Sequence, residues 1–226
     1  MRHHKIFKFC IVILGLLSCN AKPEVKVISK FLTGNAQETY TYKNPSDTTS
    51  YLDTKYYDNG NVFYQGEFIN SKEEGHWVWY FSNGILKDSA TYHQGEFIGR
   101  RVHWDSLGHL TKLELINGPC YGCCCDGVVI NYYPNGKIQD QTQMFKGERD
   151  GKYVYFYVNG QPKKEEYFST DIKNGRYYEW YENGKPWVTG FYNQGKMDSI
   201  WTWYDSSGAV KSIQELKDGE LIRDIK

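Results

Sequence analysis

Turn dipeptides ending in glycine recur along this chain at a fixed interval, and that interval constrains the fold more than any other feature. They stand at Asn59-Gly60, Asn83-Gly84, Leu107-Gly108, Asn135-Gly136, Asn159-Gly160, Asn183-Gly184 and Ser207-Gly208. Successive glycines lie 24, 24, 28, 24, 24 and 24 residues apart, and the one longer interval holds Cys120–Cys125. A period of this length marks stacked supersecondary units, none of which can bury a face alone.

Each glycine anchors one local pattern. Six and four residues before it stand pairs such as Val78 and Tyr80, Val102 and Trp104, or Val154 and Phe156. Two and eight residues after it stand pairs such as Leu86 and Tyr92, or Ile138 and Met144. Even separations keep side chains on one face of a strand, so these positions are read together as the structural face. Residues seven, five and three before the glycine fall on the other face and vary widely: Trp77, Trp79 and Phe81; Arg101, His103 and Asp105; Val129, Asn131 and Tyr133; Tyr153, Tyr155 and Tyr157; Tyr177, Glu179 and Tyr181; Trp201, Trp203 and Asp205. Asn-Gly between such runs signals a hairpin with positive φ at both turn positions. A second glycine (Gly75, Gly99, Gly127, Gly151 or Gly175) is expected to close each unit at the opposite edge. No stretch sustains a 3.6-residue period.

The expected fold is all-β: an elongated antiparallel β-meander of about seven 24-residue hairpin repeats. Fourteen strands ~4.8 Å apart would span about 65 Å. Residues 54–226 form the repeat domain. Residues 19–53 form a tether and N-terminal cap, with strand-like alternation at Val25–Leu32 and Thr39–Lys43 and a turn at Asn44-Pro45-Ser46-Asp47. Ser199 and Arg223 replace the closing glycine, so the last repeat reads as a cap.

The unit from Lys146 to Gly160 (KGERDGKYVYFYVNG) resembles the MORN-repeat variant, and the likeness extends over residues 54–226. Bacterial chains of this kind resemble the YwqK-like antitoxin family, which implies neutralisation of a partner toxin. Familiar members of that family lack an export signal, and here this chain departs from them.

Residues 1–18 have the layout of a secretory signal: basic Met1–Lys8, the apolar run Phe9–Leu17, then Ser18. Nine apolar residues rise about 13 Å as a helix, less than half of a bilayer core of ~30 Å, so this run is no lasting span. Leu16-Leu17-Ser18-Cys19 resembles a lipobox, which implies a diacylated Cys19 as the mature N-terminus and tethering to a membrane of the bacterial envelope. Asn20 follows, with no aspartate of the inner-membrane retention type, which favours the outer membrane.

Charge narrows the partners. The chain has 27 Lys+Arg and 27 Asp+Glu; without residues 1–18 the balance is 24 against 27, or −3. That leaves no basic field for nucleic acid. No phosphate loop, nucleophile elbow or His-Glu-x-x-His sequence occurs, and no cofactor site or catalytic residue is expected. Exposed Tyr and Trp favour recognition, so Trp77, Trp79, Tyr153, Tyr155, Tyr157, Trp201 and Trp203 are candidate contacts for a protein partner. The same rings could instead form cross-strand ladders that bind nothing. A structural or glycan-contacting envelope component is the alternative function. Cys120, Cys123, Cys124 and Cys125 are candidate disulfide partners in an exported protein. Cys120-x-x-Cys123 also has metal-knuckle spacing, with His93 on the same edge, and crowded bridges suit redox exchange.

Overall fold

A computed structural model describes residues 22–118 and 126–226. The signal segment, Cys19 and the four loop cysteines lie outside the described residues. Every described element is a strand. The chain passes through β1 (Glu24–Lys30), β2 (Ala36–Tyr42), β3 (Ser50–Tyr56), β4 (Val62–Ile69), β5 (Lys72–Tyr80) and β6 (Leu86–His93). It continues through β7 (Glu96–Trp104), β8 (Leu110–Ile116), β9 (Gly127–Tyr132), β10 (Ile138–Phe145), β11 (Glu148–Phe156) and β12 (Pro162–Ser169). It ends with β13 (Ile172–Trp180), β14 (Pro186–Asn193), β15 (Lys196–Tyr204), β16 (Val210–Lys217) and β17 (Glu220–Asp224). Each strand pairs antiparallel with its sequence neighbours, giving one open 17-stranded meander. Sixteen steps of ~4.8 Å span about 77 Å. The two strands expected in residues 19–53 are present as β1 and β2, the seven turns join the fourteen strands β3–β16 in pairs, and β17 is the seventeenth.

The turns differ in kind from the expectation. At Gly60 the amide donates to Tyr57 O at 2.9 Å and Tyr57 N–H donates to Asn61 O at 2.8 Å. Gly60 has φ +84°, whereas Asn59 is not among the positive-φ residues. This is a type I turn followed by a left-handed glycine, a three-residue hairpin loop. The asparagine is retained for its side chain. Asn59 Oδ1 accepts from Asn61 N–H, and its Nδ2 donates to Ser82 O in the next turn at 2.8 Å. Asn83 and Asn183 repeat both contacts. True two-residue turns with both φ positive lie on the other edge, as at Gln94-Gly95 and Thr170-Asp171. Gly34, bonded to Phe31 O at 2.9 Å, makes an eighth turn of the Gly60 class, so the repeat already begins inside the expected cap.

Bulges reassign the faces. Tyr80 pairs with Leu86, but Trp79 pairs with Asp88, Trp77 with Ala90 and Gly75 with Tyr92, because Lys87 is extra. The residue eight after each turn glycine therefore shares a face with Trp77, not with Val78, which corrects the alternation assumed from sequence. Gly75, Gly99, Gly151 and Gly175 sit inside strands at positive φ, where they form a second set of bulges instead of closing turns. Ser199 holds the same conformation at φ +65°.

The Trp77 face is the packed one. Trp77 and Ala90, then Phe168, Tyr177, Val188, Trp201 and Leu216, are buried along it, with Phe68 half-buried beside Trp77. Trp77 lies flat over Gly66, where an added Cβ would stand 1.9 Å from the ring, and Trp201 lies over Gly190 in the same way at 2.2 Å. Rings continue across β2–β7 from Tyr40 through Tyr51, Phe68, Trp77 and Tyr92 to Phe97, with centroids 4.3–6.2 Å apart. A second ring group covers β11–β15, from Tyr153 and Phe168 to Tyr177, Tyr192, Trp201 and Trp203. Stacked rings of this kind supply the burial that a second layer provides in a sandwich.

Candidate recognition surfaces

The seven aromatic candidates separate by environment. Trp77 and Trp201 are 5% and 2% exposed, so neither presents a contact surface; the expectation of exposure fails there because each ring lies down over a glycine. The Trp201 Nε1–H is shared between Phe191 O and Asp198 O, both at 3.2 Å. Trp79 and Trp203 lean on these rings at centroid distances of 5.8 and 6.0 Å. Tyr157 faces the turn edge, where its hydroxyl donates to Trp180 O at 2.8 Å. Tyr133 and Tyr181 donate likewise to Phe156 O and Tyr204 O. This tyrosine position stitches successive repeats together. Tyr153 and Tyr155 remain half-exposed in β11.

Between the two ring groups, the packed face turns polar. Asp88 is buried and accepts from Arg101 through two bonds of 3.1 and 2.9 Å. His103 Nδ1 lies 3.1 Å from Asp88 Oδ2, its Nε2 lies 3.4 Å from Glu114 Oε2, and Lys112 completes the row by pairing with Glu114. The Asp88 and Glu114 carboxylates raise the His103 pKa to about 9, so the imidazolium persists at neutral pH. The bond from His103, reinforced by Lys112, holds Glu114 down at about 2. Burial would raise Asp88, but bonds from His103 and Arg101 outweigh it and lower its pKa. Farther on, Glu166 is buried between Lys173 at 2.7 Å and Lys164 at 3.3 Å. All these charges are answered by neighbours, which makes the row a structural substitute for rings. His93 pairs with Glu74 at 2.9 Å.

The opposite face carries the exposed apolar surface that periodicity placed elsewhere. Behind the Trp201 group, Phe191 is 37% and Ile200 45% exposed. With Arg176 and Tyr178 they border a depression of about 400 Å³ whose floor includes Gly190. Tyr178 and Trp180 stack at 5.8 Å with 17° between their planes. The depression is thus backed by the best-buried part of the sheet, where Tyr177, Val188, Trp201 and Leu216 meet. Phe191 and Ile200 were missed because the sequence pattern placed the binding residues on the Trp77 side.

Five segments of the chain, residues 54–70, 73–94, 126–146, 149–169 and 173–194, match the family model of the MORN repeat variant. The matches leave out residues 195–226 and the repeat between residues 94 and 126, in which Arg101 and His103 stand where Trp77 and Trp79 stand one repeat earlier. No curated protein matches the chain.

Proposed function

We propose that this chain of five matched MORN-variant repeats is a non-catalytic recognition protein of the bacterial envelope. Diacylated Cys19 tethers it to a membrane, and the open sheet engages a protein partner. The depression bordered by Phe191, Ile200, Tyr178 and Arg176 carries this reading. Exposed apolar side chains on a rigid backing, rimmed by one guanidinium, have the composition of a binding hot spot. They fit a partner that inserts an apolar side chain beside a carboxylate. Neutralisation of an envelope-acting toxin is the most specific form of the proposal, and it rests on the likeness to the YwqK-like family.

The test is a crosslinked pull-down from native membranes with wild type and with the Phe191→Ser/Ile200→Ser double variant, followed by titration of the purified captured protein. One stoichiometric polypeptide, binding at least tenfold more weakly to the variant, supports the reading. Equal binding by both forms, or no dedicated polypeptide, overturns it. The tether is checked separately: Cys19→Ser should move the protein from the membrane to the soluble fraction.

A further inference from the structure

The ring cover of the packed face stops at Phe97 in β7, gives way to the charged row of β7 and β8, and resumes at β11. In between, β9 and β10 present Val129, Asn131, Asp140 and Thr142, paired across the strands as Asn131 with Asp140 and Val129 with Thr142. Among the described residues, no ring lies over a glycine of these two strands as Trp77 lies over Gly66. The result is a shallow groove of about 550 Å³. Tyr153 and Tyr155 stand beside it on the neighbouring strand, paired across the ladder with Thr142 and Asp140. These two tyrosines also border a second depression of about 240 Å³ on their far side, shared with Lys164 and Glu179. They form a ridge beside the groove, with Lys163 Nζ over the Tyr155 ring and Lys164 Nζ over the Tyr153 ring, each at 5.6 Å.

The chemistry of the groove narrows what can occupy it. Its charges are Lys112, Arg149, Asp140 and Asp171, two of each sign. A polyanion would meet the two aspartates, and a polycation would meet Lys112 and Arg149. The polar groups are already oriented: Asn131 Nδ2 donates to Asp140 Oδ1 at 2.8 Å, and Arg149 Nε donates to Asp171 Oδ1 at 2.7 Å. Arg149 is held further by lying 4.1 Å over the Phe168 ring. The second oxygens of both aspartates, the Asn131 carbonyl and the outer guanidinium nitrogens are then directed groups suited to hydroxyls. A peptide hot spot would instead need apolar depth, and the floor supplies little beyond Val129 and Met144.

We infer that the groove over β9 and β10, with its Tyr153–Tyr155 ridge, is a binding site for a neutral oligosaccharide. Sugar hydroxyls would pair with Asn131, Asp140 and Arg149, and a pyranose face would rest against a tyrosine ring. The site lies on the face opposite Phe191 and Ile200, so it stands or falls independently of the protein-docking surface.

The test is a ¹H–¹⁵N titration of the full chain with cellohexaose, maltohexaose, laminarihexaose, mannohexaose and xylohexaose, with hexagalacturonate as the anionic comparison. At least one neutral hexasaccharide should bind with Kd of about 1 mM or below, shifting resonances of β9–β11 and leaving β13–β15 unmoved. Tyr155→Ala should weaken that binding at least tenfold. Because loss of a ring could disturb β11, Asn131→Ala, which removes a half-buried amide bonded to Asp140, should weaken it as well. The inference is overturned if no neutral sugar shifts the groove, if hexagalacturonate binds more tightly, or if Asn131→Ala and Tyr155→Ala bind as wild type does.

Discussion

Gly190→Ala isolates the contact on which the packed face depends. Gly190 is not at positive φ, so alanine carries no backbone penalty there. Considered alone, the change would stabilise by about 0.4–1 kcal/mol, because the unfolded chain loses freedom. The added Cβ, however, would stand 2.2, 2.4 and 2.6 Å from three fused-ring atoms of Trp201. Carbon atoms in contact sit about 3.5 Å apart or more, so the ring must rise by at least about 1.3 Å. Overpacking of this kind costs about 1–3 kcal/mol. The same movement strains the bonds from Nε1 to Phe191 O and Asp198 O, and a lost hydrogen bond costs about 0.5–1.5 kcal/mol. The net expectation is destabilisation of about 2 kcal/mol, below the 3–5 kcal/mol typical of removing a buried Trp side chain. Urea unfolding followed by far-ultraviolet circular dichroism measures it without relying on indole fluorescence. In a Trp201→Ala background the penalty should vanish and a small stabilisation should appear. An unchanged or raised midpoint in the single variant, or the same loss in both backgrounds, would refute the account of why this face packs.

Two further outcomes follow from the same coordinates. Ser199 occupies at φ +65° the bulge position that is glycine in β5, β7, β11 and β13, and a left-handed conformation costs an L-residue about 1–2 kcal/mol. Ser199→Gly should therefore raise stability by up to about 1 kcal/mol after the entropy of the added glycine is deducted, and a lowered urea midpoint would contradict this. The Asp88–Arg101–His103–Glu114 row sets a pH profile. His103, raised to about 9, contributes stability fully below its unfolded value near 6.5, and this is lost as pH climbs through 9. Glu114, lowered to about 2, contributes above about 4.3, and this is lost as pH falls toward 2. Urea midpoints should thus be highest between about pH 4.5 and 6.5, and His103→Gln should flatten the decline between 6.5 and 9. A decline that persists in that variant would assign it to another group.

The repeat length, the antiparallel meander and, among the described residues, the absence of helices were legible because a 24-residue spacing of turn glycines leaves room for two strands and little else. The faces were not. A face assignment by alternation holds only while no residue is inserted, and each unit contains one bulge after its turn and, in β5, β7, β11 and β13, another at an in-strand glycine. Gly75 and its counterparts were the available signal, since glycine inside a strand marks a bulge or a close approach. Gly66 and Gly190 carried the second meaning, and only the register places them under Trp77 and Trp201. The eighth turn, at Gly34, escaped notice because it follows Thr33 instead of Asn and lies 26 residues before Gly60. The groove over β9 and β10 depends on which residues are cross-strand partners, information that appears nowhere in a linear pattern.

A sheet that grows by adding neighbours must also stop, and the two ends of this one are built against further pairing. β1 carries Lys26 and Lys30 and slips register around Ile28; β17 is five residues long, slips at Ile222 and holds Arg223 against Glu215 at 2.6 Å. Short, charged, bulged edges resist pairing with another chain. Apolar side chains at these ends, such as Val25 and Ile222, are exposed, yet the backbone beside them is a poor template for an added strand. The surface left for the proposed contacts is therefore that of the two faces. There the division of labour follows from packing: rings hold one face together where they lie over glycine, and, among the described residues, surface is left free where the rings stop, over β9 and β10, and on the reverse of the Trp201 group, where Phe191 and Ile200 are exposed.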